Sequence, residues 1–588
     1  MARTKQGRNK QAGHGYTDRT GTEKGGIFRQ AGPIARCCLV YPNTYHSGMS
    51  NLGFQTVYRN INLVDGVSCE RAFLPDPKAG RRRIQSLETR TDLCNFDIVL
   101  FSVSFENDYI HLASLLQDAG IPLRFTQRDQ SHPLVIAGGV ACFLNPEPIA
   151  PFIDCFLLGE AEPLLLKFFE IVANTGTKKE CLQSLALNLP GAYIPGLYPL
   201  FEENSLGIRT PVPAAESVPP KVRITPADLG NLSTTTCILT RDTAFSNTFL
   251  IESGRGCRHG CRFCSAGFIY RPPRRYPASA VTAGMEKACE TTDKIGLVSP
   301  SVSDHPDIDR FFEKAAANHL KLSFSSFRAD TLKPDIIESL GKTGVKTATI
   351  APEAGSQRMR DIINKNITEE QIFNCVSMLV KADIINLKLY MMVGLPFETQ
   401  SDVTALNTMV GRIREVFLDA SREKGKIGTI TVSVNPFIPK PATPFQWCGF
   451  CPKDRLQRRI KTIQQGLKRL PNLQLNFESL KTARRNCLLS KGDRRTADII
   501  EQVIDQGWTK TMKEWSGYIN RVVHEPWDPK EKVPWEIVDT GLDKEFLAEE
   551  YSKAALGKTS APCPETDCSR CRICRPSRPT SPHPSENR

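Results

Sequence analysis

The chain has 588 residues, of which 40% are hydrophobic and 24% charged, and its formal net charge is +13. These values are ordinary for a soluble globular protein of two or three domains. No apolar run reaches the roughly 18 residues that a membrane helix needs, and no apolar signal core opens the sequence. A membrane protein is therefore excluded. The 20 cysteines, in a chain too large for a disulfide scaffold, favour a reducing cytoplasm.

Both ends of the chain are predicted to be disordered tails. Residues 1–30 hold seven Lys or Arg against two Asp or Glu and show no apolar periodicity. Residues 575–588 are rich in proline and serine, as linkers are. Because part of the positive charge lies in the first tail, the net charge is only a weak indication of a nucleic-acid partner.

Residues 31–175 alternate short apolar runs with helical stretches. The strand-like runs are 35–41, 97–104, 133–139 and 154–159. Nearly continuous apolar strands that alternate with helices predict a doubly wound, Rossmann-like parallel sheet. Gly138, Gly139 and Gly159 fall where strands end, which is where such sheets bind ligands. The alternative is that these glycines only form tight strand-to-helix turns.

Cys257, Cys261 and Cys264 lie on one glycine-rich loop after a strand-like run. Three thiolates at this spacing can each bond a different iron of a cubane cluster, and no fourth cysteine nearby completes the shell. One iron would then stay open to a small-molecule chelate, which points to catalysis. The alternatives are free thiols, or a zinc site with His259 as fourth ligand, although so short a loop would strain that geometry.

The pattern Cys-x3-Cys-x-Phe-Cys resembles the signature of radical S-adenosylmethionine enzymes. The resemblance implies that the three cysteines hold a four-iron four-sulfur (4Fe-4S) cluster whose open iron binds S-adenosylmethionine. One electron then cleaves this cofactor to methionine and a 5'-deoxyadenosyl radical. Phe263 would pack over the cluster or the adenine. Flavodoxin or ferredoxin would be a suitable electron donor.

Residues 235–450 contain six strand-like runs with helical spacers between them. They are 248–253, 295–299, 321–326, 347–351, 386–393 and 429–434. Their spacing suits successive strand-helix units, so we expect a partial, TIM-like (β/α)6 barrel with its functional groups at the strand ends.

Polar residues follow these strands in the order that the family uses, and the resemblance implies contacts with S-adenosylmethionine for them. They are Ser299, Ser301 and Ser303 for its amino group, Arg328 after the third strand, Glu353 for ribose or ammonium, Arg358 for the methionine carboxylate, and Gly394 for adenine through backbone contacts. Taken singly, each charged residue could equally form a surface ion pair.

The first domain resembles the cobalamin-binding-like domains that precede such barrels, most clearly over residues 136–162. The Asp-x-His-x-x-Gly motif of cobalt-ligating relatives is missing, because His46 has neither the aspartate nor the glycine at the required spacing. Cobalamin, if it binds, would be held by shape and backbone contacts. Its presence stays open.

Residues 451–574 are predicted to be a helical extension. Residues 455–470 combine helical apolar spacing with many basic residues, which suits a phosphate backbone or, more commonly, a solvated helix face. Four cysteines near the end have metal-ligand spacing: Cys563, Cys568, Cys571 and Cys574. They could hold an auxiliary iron-sulfur cluster or a structural zinc ion.

The resemblance covers residues 33–575 and indicates a subfamily that joins a cobalamin-binding-like domain, a radical S-adenosylmethionine barrel and a cysteine-rich end, with residues 176–234 as a linker. We predict an enzyme that modifies an RNA by methylation or methylthiolation. One alternative is cobalamin-dependent methylation of a small metabolite. Another is a non-catalytic, metal-binding RNA adaptor.

Overall fold

A computed structural model describes residues 20–26, 28, 33–75, 83–324, 327–342, 344–566 and 568–574. Most of the predicted N-terminal tail and all of the predicted C-terminal tail lie outside these residues. The described part of the first tail is ordered against the molecule. Its strand Lys24–Gly25 pairs antiparallel with Ile238–Leu239, and Glu23 forms a buried ion pair with Arg71 at 2.8 Å.

The first domain is built on a six-stranded sheet. Its strands are β1 (Ala35–Tyr41), β2 (Val67–Phe73), β3 (Ile98–Ser102), β4 (Leu134–Gly138), β5 (Cys155–Leu157) and β6 (Ala192–Tyr193). Their order is β2-β1-β3-β4-β5-β6, and all pairs are parallel except β5 with β6. The predicted doubly wound α/β architecture is therefore confirmed.

Alternate residues of each strand enter two separate cores, one on each face of this sheet, because successive side chains point to opposite faces. The helices of this region are Tyr45–Met49, Leu52–Asn62, Asp108–Asp118, Val140–Leu144, Ala161–Ala173 and Lys178–Asn188. The face that carries Asp108–Asp118 is also covered by Thr496–Gln506, from far along the chain.

Residues 176–234, expected to be a linker, contain regular structure. They include the helix Lys178–Asn188, strand β6, and a hairpin of Leu200–Glu203 with Arg209–Val212. Strand β6 extends the first sheet beyond the boundary expected at residue 175. It has only two residues, too few to produce a recognisable sequence pattern.

The barrel contains seven parallel strands, one more than the sequence predicted. They are β7 (Phe249–Glu252), β8 (Lys294–Val298), β9 (Lys321–Phe324), β10 (Thr347–Glu353), β11 (Asn386–Val393), β12 (Ile430–Pro436) and β13 (Leu473–Phe477). Strands β7-β8-β9 and β10-β11-β12-β13 form two sheets, which a bridge between Phe327 and Ile350 connects. Among the described residues no ladder closes the arc between β7 and β13.

Helices cover the outside of this arc. They are Ala278–Cys289, Ile308–Ala317, Pro334–Lys342, Glu369–Lys381 and Gln400–Lys424, whereas the short helix Gln357–Ile362 packs with Phe263 in a separate small cluster. The apolar side chains of strands and helices form one continuous core. Because parallel strands end on the same side, the loops that follow them meet at one mouth.

The C-terminal extension is helical, as predicted, and it packs on both domains. Its helices are Lys453–Leu467, Leu480–Lys491, Thr496–Gln506, Trp508–Glu514, Ser516–Val523 and Lys544–Ala555. Arg124 of the first domain pairs with Glu501 at 2.7 Å, and the Asn145 side chain donates to the Ser490 carbonyl at 3.0 Å. In the described part of the chain, every helix is too short or too polar to cross a membrane.

Candidate active site between the two domains

The three cysteines lie on a loop that immediately follows β7. We call residues 254–275 the cluster loop, since its two ends pair as short antiparallel strands, Gly254–Arg255 with Arg274–Arg275. Inside the loop, the Cys257 amide donates to the Ala266 carbonyl at 3.2 Å and the Cys264 amide to the Cys261 carbonyl at 3.0 Å. These bonds fold the loop back on itself and bring the cysteines together.

Two glycines make this tight fold feasible. Gly256 has a φ of 83°, and a Cβ there would lie 2.6 Å from the Tyr270 carbonyl oxygen. A Cβ at Gly267 would lie 2.6 Å from the His259 carbonyl oxygen. Any larger residue would push these backbone segments apart, so both glycines are required by close approach of the chain to itself.

Cys261 is buried, Cys257 and Cys264 are partly exposed, and the three thiols lie close to one another. Burial, followed by the neighbouring Cys261, raises the pKa of Cys257 to about 12 and that of Cys264 to about 11. Without metal, Cys257 and Cys264 stay protonated at neutral pH, so a metal must displace their protons on binding. The convergence of three thiols fits the open-cornered cluster that the sequence predicts.

A single zinc ion fits this site poorly. The His259 Nε2 atom lies 2.7 Å from an Asp304 carboxylate oxygen, so the proposed fourth ligand is already paired. One zinc ion needs every sulfur within about 2.3 Å of one point, whereas a cubane distributes its ligands over separate irons.

Arg328 and Glu353 are both brought to the cluster loop. The Arg328 guanidinium lies 3.9 Å from the Cys261 sulfur and is oriented by Asp330 at 3.0 Å and by the Lys365 carbonyl at 2.8 Å. Glu353 ends β10 with a φ of 68° and pairs with Lys365 at 3.3 Å. Burial raises the pKa of Glu353, although the Lys365 charge opposes the shift.

The three serines after β8 do not share one environment. Ser299 and Ser301 line a small cavity beside Cys257, and the Ser301 amide donates to the Ser299 hydroxyl at 3.4 Å. The buried Ser253 hydroxyl lines the same cavity and has no hydrogen-bond partner among the residues that the structure describes. Ser303 instead bonds the Thr331 hydroxyl at 2.7 Å. An orphaned hydroxyl beside Cys257 suits a polar ligand at this place.

The remaining predicted contacts have other partners. Arg358 is half exposed, pairs with Asp402 at 2.7 Å and donates to the Phe397 carbonyl at 3.1 Å. The Gly394 amide donates to Glu398 at 2.8 Å. Phe263 packs against a small apolar cluster that contains Ala354 and Met359. Arg358 and Gly394 must therefore exchange bonds before they can contact a cofactor.

The four C-terminal cysteines also lie together. Cys563 and Cys571 are buried, while Cys568 and Cys574 are partly exposed. Burial and the three neighbouring thiols raise the pKa of Cys574. The Arg570 amide, with help from its guanidinium, lowers the pKa of Cys568. We call residues 558–574 the C-terminal cysteine segment.

Sequence reasoning missed a buried ion pair that fixes the cluster loop. Arg262 lies between two cluster cysteines with a fully buried side chain, and it pairs with Glu550 at 3.1 Å. The same guanidinium donates to the carbonyls of Ile362 and Lys558, both at 2.8 Å. Since 288 residues separate the two charges, no local pattern could have revealed the pair.

A second missed network joins the two domains beside the cluster loop. Arg255 pairs with Glu160 at 2.5 Å and with Glu162 at 2.6 Å, both from the first domain, and with Glu252 of β7 at 2.9 Å. Burial opposes the Arg255 charge, but the carboxylates together raise the pKa of this group above its ordinary value. The network holds the first domain over the barrel mouth.

Between the domains lies a cavity of about 670 Å³, which we call the interdomain cavity. One wall is formed by the ends of strands β1, β3, β4 and β5, and the other by the ends of β7, β8 and β9 with part of the cluster loop. Residues representative of the two walls are Leu39, Ser102, Gly138, Leu157, Leu250, Gly254, Val298 and Ser323. Its volume falls in the range of ligand pockets, about 300–1,000 Å³.

The glycines at the first domain's strand ends are explained by packing. Gly139 has a φ of 103°, and its Cβ would lie 2.4 Å from the Val103 carbonyl oxygen. The Cβ of Gly159 would lie 2.7 Å from the Thr225 amide. Both positions therefore demand glycine because of protein backbone, as the tight-turn alternative proposed.

Comparison with known proteins agrees with this architecture. Residues 53–195 match the family described as "Radical SAM proteins, N-terminal", and residues 251–409 match the radical SAM superfamily. An uncharacterized protein of Methanocaldococcus jannaschii is 28% identical over 478 residues, which is 80% of this chain and 91% of that protein.

Two solved structures resemble the chain with low sequence identity. The radical S-adenosylmethionine methyltransferase TsrM from Kitasatospora setae, with cobalamin and a 4Fe-4S cluster bound, is 12% identical with a TM-score of 0.45, over 68% of this chain and 74% of that one. The cobalamin-dependent S-adenosylmethionine radical enzyme OxsB, with aqua-cobalamin and S-adenosylmethionine bound, is 12% identical with a TM-score of 0.42, over 89% of this chain and 79% of that one.

The two domains that carry these family matches meet at the interdomain cavity. The cluster loop of the second domain carries the cysteine signature. The chain thus belongs to the radical S-adenosylmethionine superfamily and is an enzyme that uses a 4Fe-4S cluster and S-adenosylmethionine.

Proposed function

We propose that this enzyme is a cobalamin-dependent methyltransferase that acts on a small molecule. The observation that carries the proposal is the interdomain cavity, which lies between the strand ends of the first domain and the cluster loop. Ligands of doubly wound sheets bind at this edge, and radical chemistry takes place at the barrel mouth. A molecule in the cavity would contact both.

The lining of the cavity suits a cobalamin that has no protein ligand on its metal. Its lining is mostly apolar and contains no histidine among the described residues. This agrees with the missing cobalt-ligand motif. The corrin would rest against the apolar strand ends, while Tyr270 and Asn51 offer polar groups within the lining. Bound cobalamin supplies a methyl-carrying metal, which the protein side chains alone cannot provide.

We assign S-adenosylmethionine to the cluster side of the cavity. When bound, the cluster provides one electron for reductive cleavage of the sulfonium. Arg328, already oriented by Asp330, would bind the methionine carboxylate, since a guanidinium suits a carboxylate. Glu353 and the serine pair Ser299 and Ser301 would accept bonds from the ammonium group or the ribose.

An external protein must supply the electron, and flavodoxin or ferredoxin has suitable chemistry. A cytoplasmic location would keep both cysteine sets reduced and available for metal. The non-catalytic adaptor alternative has no support, because the chain has the domain of an enzyme superfamily.

RNA is the second candidate substrate, and one surface favours it. On the helix Lys453–Leu467 and the turn after it, six exposed basic residues have no ion-pair partner among the described residues: Lys453, Arg455, Arg458, Lys461, Lys468 and Arg469. Such a row can bind phosphates. The helix starts beside Gly394 at the barrel mouth, because Leu456 would contact a Cβ placed on that glycine. Loss of RNA crosslinking on charge reversal of this row would support modification of RNA.

The cobalamin proposal is tested by filling the cavity. Ala161 lines it, so Ala161→Trp should abolish the spectral change that hydroxocobalamin gives with the anaerobically reconstituted enzyme. Leu166→Trp is the matched control, because Leu166 lies on the same helix and is exposed outside the cavity. Release of 5'-deoxyadenosine by both variants would show that the cluster side is intact. Equal cobalamin binding by both variants, or none by the parent protein, would contradict the proposal.

A further inference from the structure

The C-terminal cysteine segment lies directly against the cluster loop. We propose that its four cysteines hold a second iron-sulfur cluster that passes electrons from a protein donor to the first one. This inference rests on the radical chemistry assigned to the barrel mouth, but not on cobalamin.

The two cysteine sets are joined by a backbone hydrogen bond. The Cys563 amide donates to the Arg258 carbonyl at 2.8 Å, and Arg258 is the neighbour of Cys257 in the chain. Consecutive Cα atoms are about 3.8 Å apart, which places the backbones of Cys563 and Cys257 within roughly 10 Å of each other.

Charged contacts hold the two segments in one arrangement. Glu565 pairs with Arg275 at 2.6 Å and lies 3.8 Å from Arg258. Farther along the segment, the Ser560 amide donates to Asn364 at 2.7 Å. Arg262 binds the Lys558 carbonyl and Glu550, as described above. Because these contacts reach the cluster loop at several points, the distance between the two cysteine sets is fixed.

The four cysteines differ in exposure, so the site has a buried side and a side that faces the surface. Cys563 and Cys571 are buried with 5% and 4% of their surfaces exposed, and Cys563 is the one bonded to the cluster loop. Cys568 and Cys574 are partly exposed. A cluster held here would have one edge toward a docking donor and the other toward the first cluster.

The position of these thiols, in contact with the cluster loop, favours a cluster over zinc. Zinc is also redox-inert and would bring nothing to a site in contact with the cluster loop beyond rigidity. Iron-sulfur clusters accept and donate single electrons, which is what the first cluster must receive.

Electron transfer through the C-terminal cluster neither breaks nor forms a covalent bond at this site. A one-electron carrier, either an iron-sulfur protein or a reduced flavin protein, is oxidised by one electron. The C-terminal cluster is reduced and then reoxidised as the electron passes to the first cluster. One electron is consumed for each S-adenosylmethionine cleaved.

The test uses the full chain with Cys568→Ser and Cys574→Ser together, chosen because these cysteines are partly exposed. The control carries Cys94→Ser and Cys289→Ser, two exposed thiols outside both sets. Iron and zinc are counted, and 5'-deoxyadenosine release is measured with reduced flavodoxin and with dithionite. The parent and the control should hold about eight irons and no zinc, and the double variant about four. The double variant should lose flavodoxin-driven release and keep dithionite-driven release.

Zinc in the parent protein, or an equal loss of release with both reductants, would overturn the proposal. If the double variant does not fold, the proposal can be tested on the unmodified protein. The fully reduced parent should then show two magnetically interacting clusters, and a single isolated signal would contradict us. If the radical chemistry assigned to the barrel mouth is wrong, the parent protein itself should release no 5'-deoxyadenosine with dithionite. The two failures can therefore be distinguished.

Discussion

The two walls of the interdomain cavity are built in different ways. On the first-domain wall the strand ends are marked by glycines such as Gly139 and Gly159, and these are explained by contacts with the protein's own backbone. On the barrel side, Arg328 and Glu353 lie at strand ends beyond the cavity lining, and both are close to cysteines of the cluster loop. The first wall provides shape and the second provides chemistry. A glycine at a strand end is therefore weaker support for a ligand site than a set of charges that meet.

Removal of a cluster ligand should affect only the barrel side of the cavity. Of the changes considered, this one should have the largest effect. Cys261→Ala leaves two thiols, too few to hold the first cluster, so release of 5'-deoxyadenosine should be abolished. Metal at the C-terminal cysteines and cobalamin binding should persist. Metal analysis and difference spectra check this. Loss of metal from both cysteine sets together would contradict two separate sites.

The cluster loop should also depend on the buried ion pair between Arg262 and Glu550. Arg262→Ala removes one partner of the buried Glu550 carboxylate, which keeps Lys553, and leaves the Ile362 and Lys558 carbonyls without this donor, so it should cost about 1–3 kcal/mol. A lower urea midpoint and poorer cluster incorporation are expected. Arg422→Ala is the control, because its pair with Asp419 is exposed and contributes less than about 1 kcal/mol. Equal midpoints for the two variants would show that the buried pair does not stabilise the loop.

These two walls differ in how far the sequence revealed them. The cysteine spacing identified the cluster loop, and six of the seven barrel strands were visible as apolar runs. Strand β13 was missed inside a region read as helical, although the alternation of Leu473, Leu475 and Phe477 could have revealed it. Contacts such as Arg255 with Glu160 join distant segments. They follow from tertiary packing and leave no periodic trace in the sequence.

On the first-domain wall, glycine replacement should cost stability and leave ligand affinity unchanged. Gly139→Ala forces a Cβ against the Val103 carbonyl at a positive φ, which should cost about 3 kcal/mol. Gly120→Ala is the control. It also has a positive φ, 72°, but nothing lies within 4 Å, so only about 1 kcal/mol is expected. Denaturation curves measure both. A Gly139→Ala protein of normal stability that no longer binds cobalamin would reverse our interpretation.

The two arginines that follow barrel strands, Arg328 and Arg358, should differ in their effect on the binding of S-adenosylmethionine. Arg328→Ala should weaken binding about tenfold, because its guanidinium faces Cys261 and is already oriented. Arg358→Ala should change affinity less than about twofold, since Asp402 and Phe397 occupy that side chain. Equilibrium titration of each variant compares them. A larger effect at Arg358 would restore the carboxylate role that the family pattern suggests for it.

The smallest expected effect concerns pH at the segment after β11. Burial raises the pKa of Glu398 to about 7, although Arg459 opposes the shift. A carboxyl with a raised folded-state pKa stabilises the fold below its ordinary pKa of 4.5, and this contribution is lost as the pH rises through about 7. Thermal midpoints from pH 5 to 8 should show the decline, and Glu398→Gln should remove it. An unchanged pH profile in the variant would contradict the assignment.

The account depends most on a cluster with one open iron at the barrel mouth. Electron paramagnetic resonance of the anaerobically reconstituted, reduced Cys568→Ser, Cys574→Ser protein isolates that cluster. We predict a 4Fe-4S signal that changes when S-adenosylmethionine is added, because the cofactor binds the open iron. The absence of such a signal, or a signal that stays the same after the addition, would contradict the account.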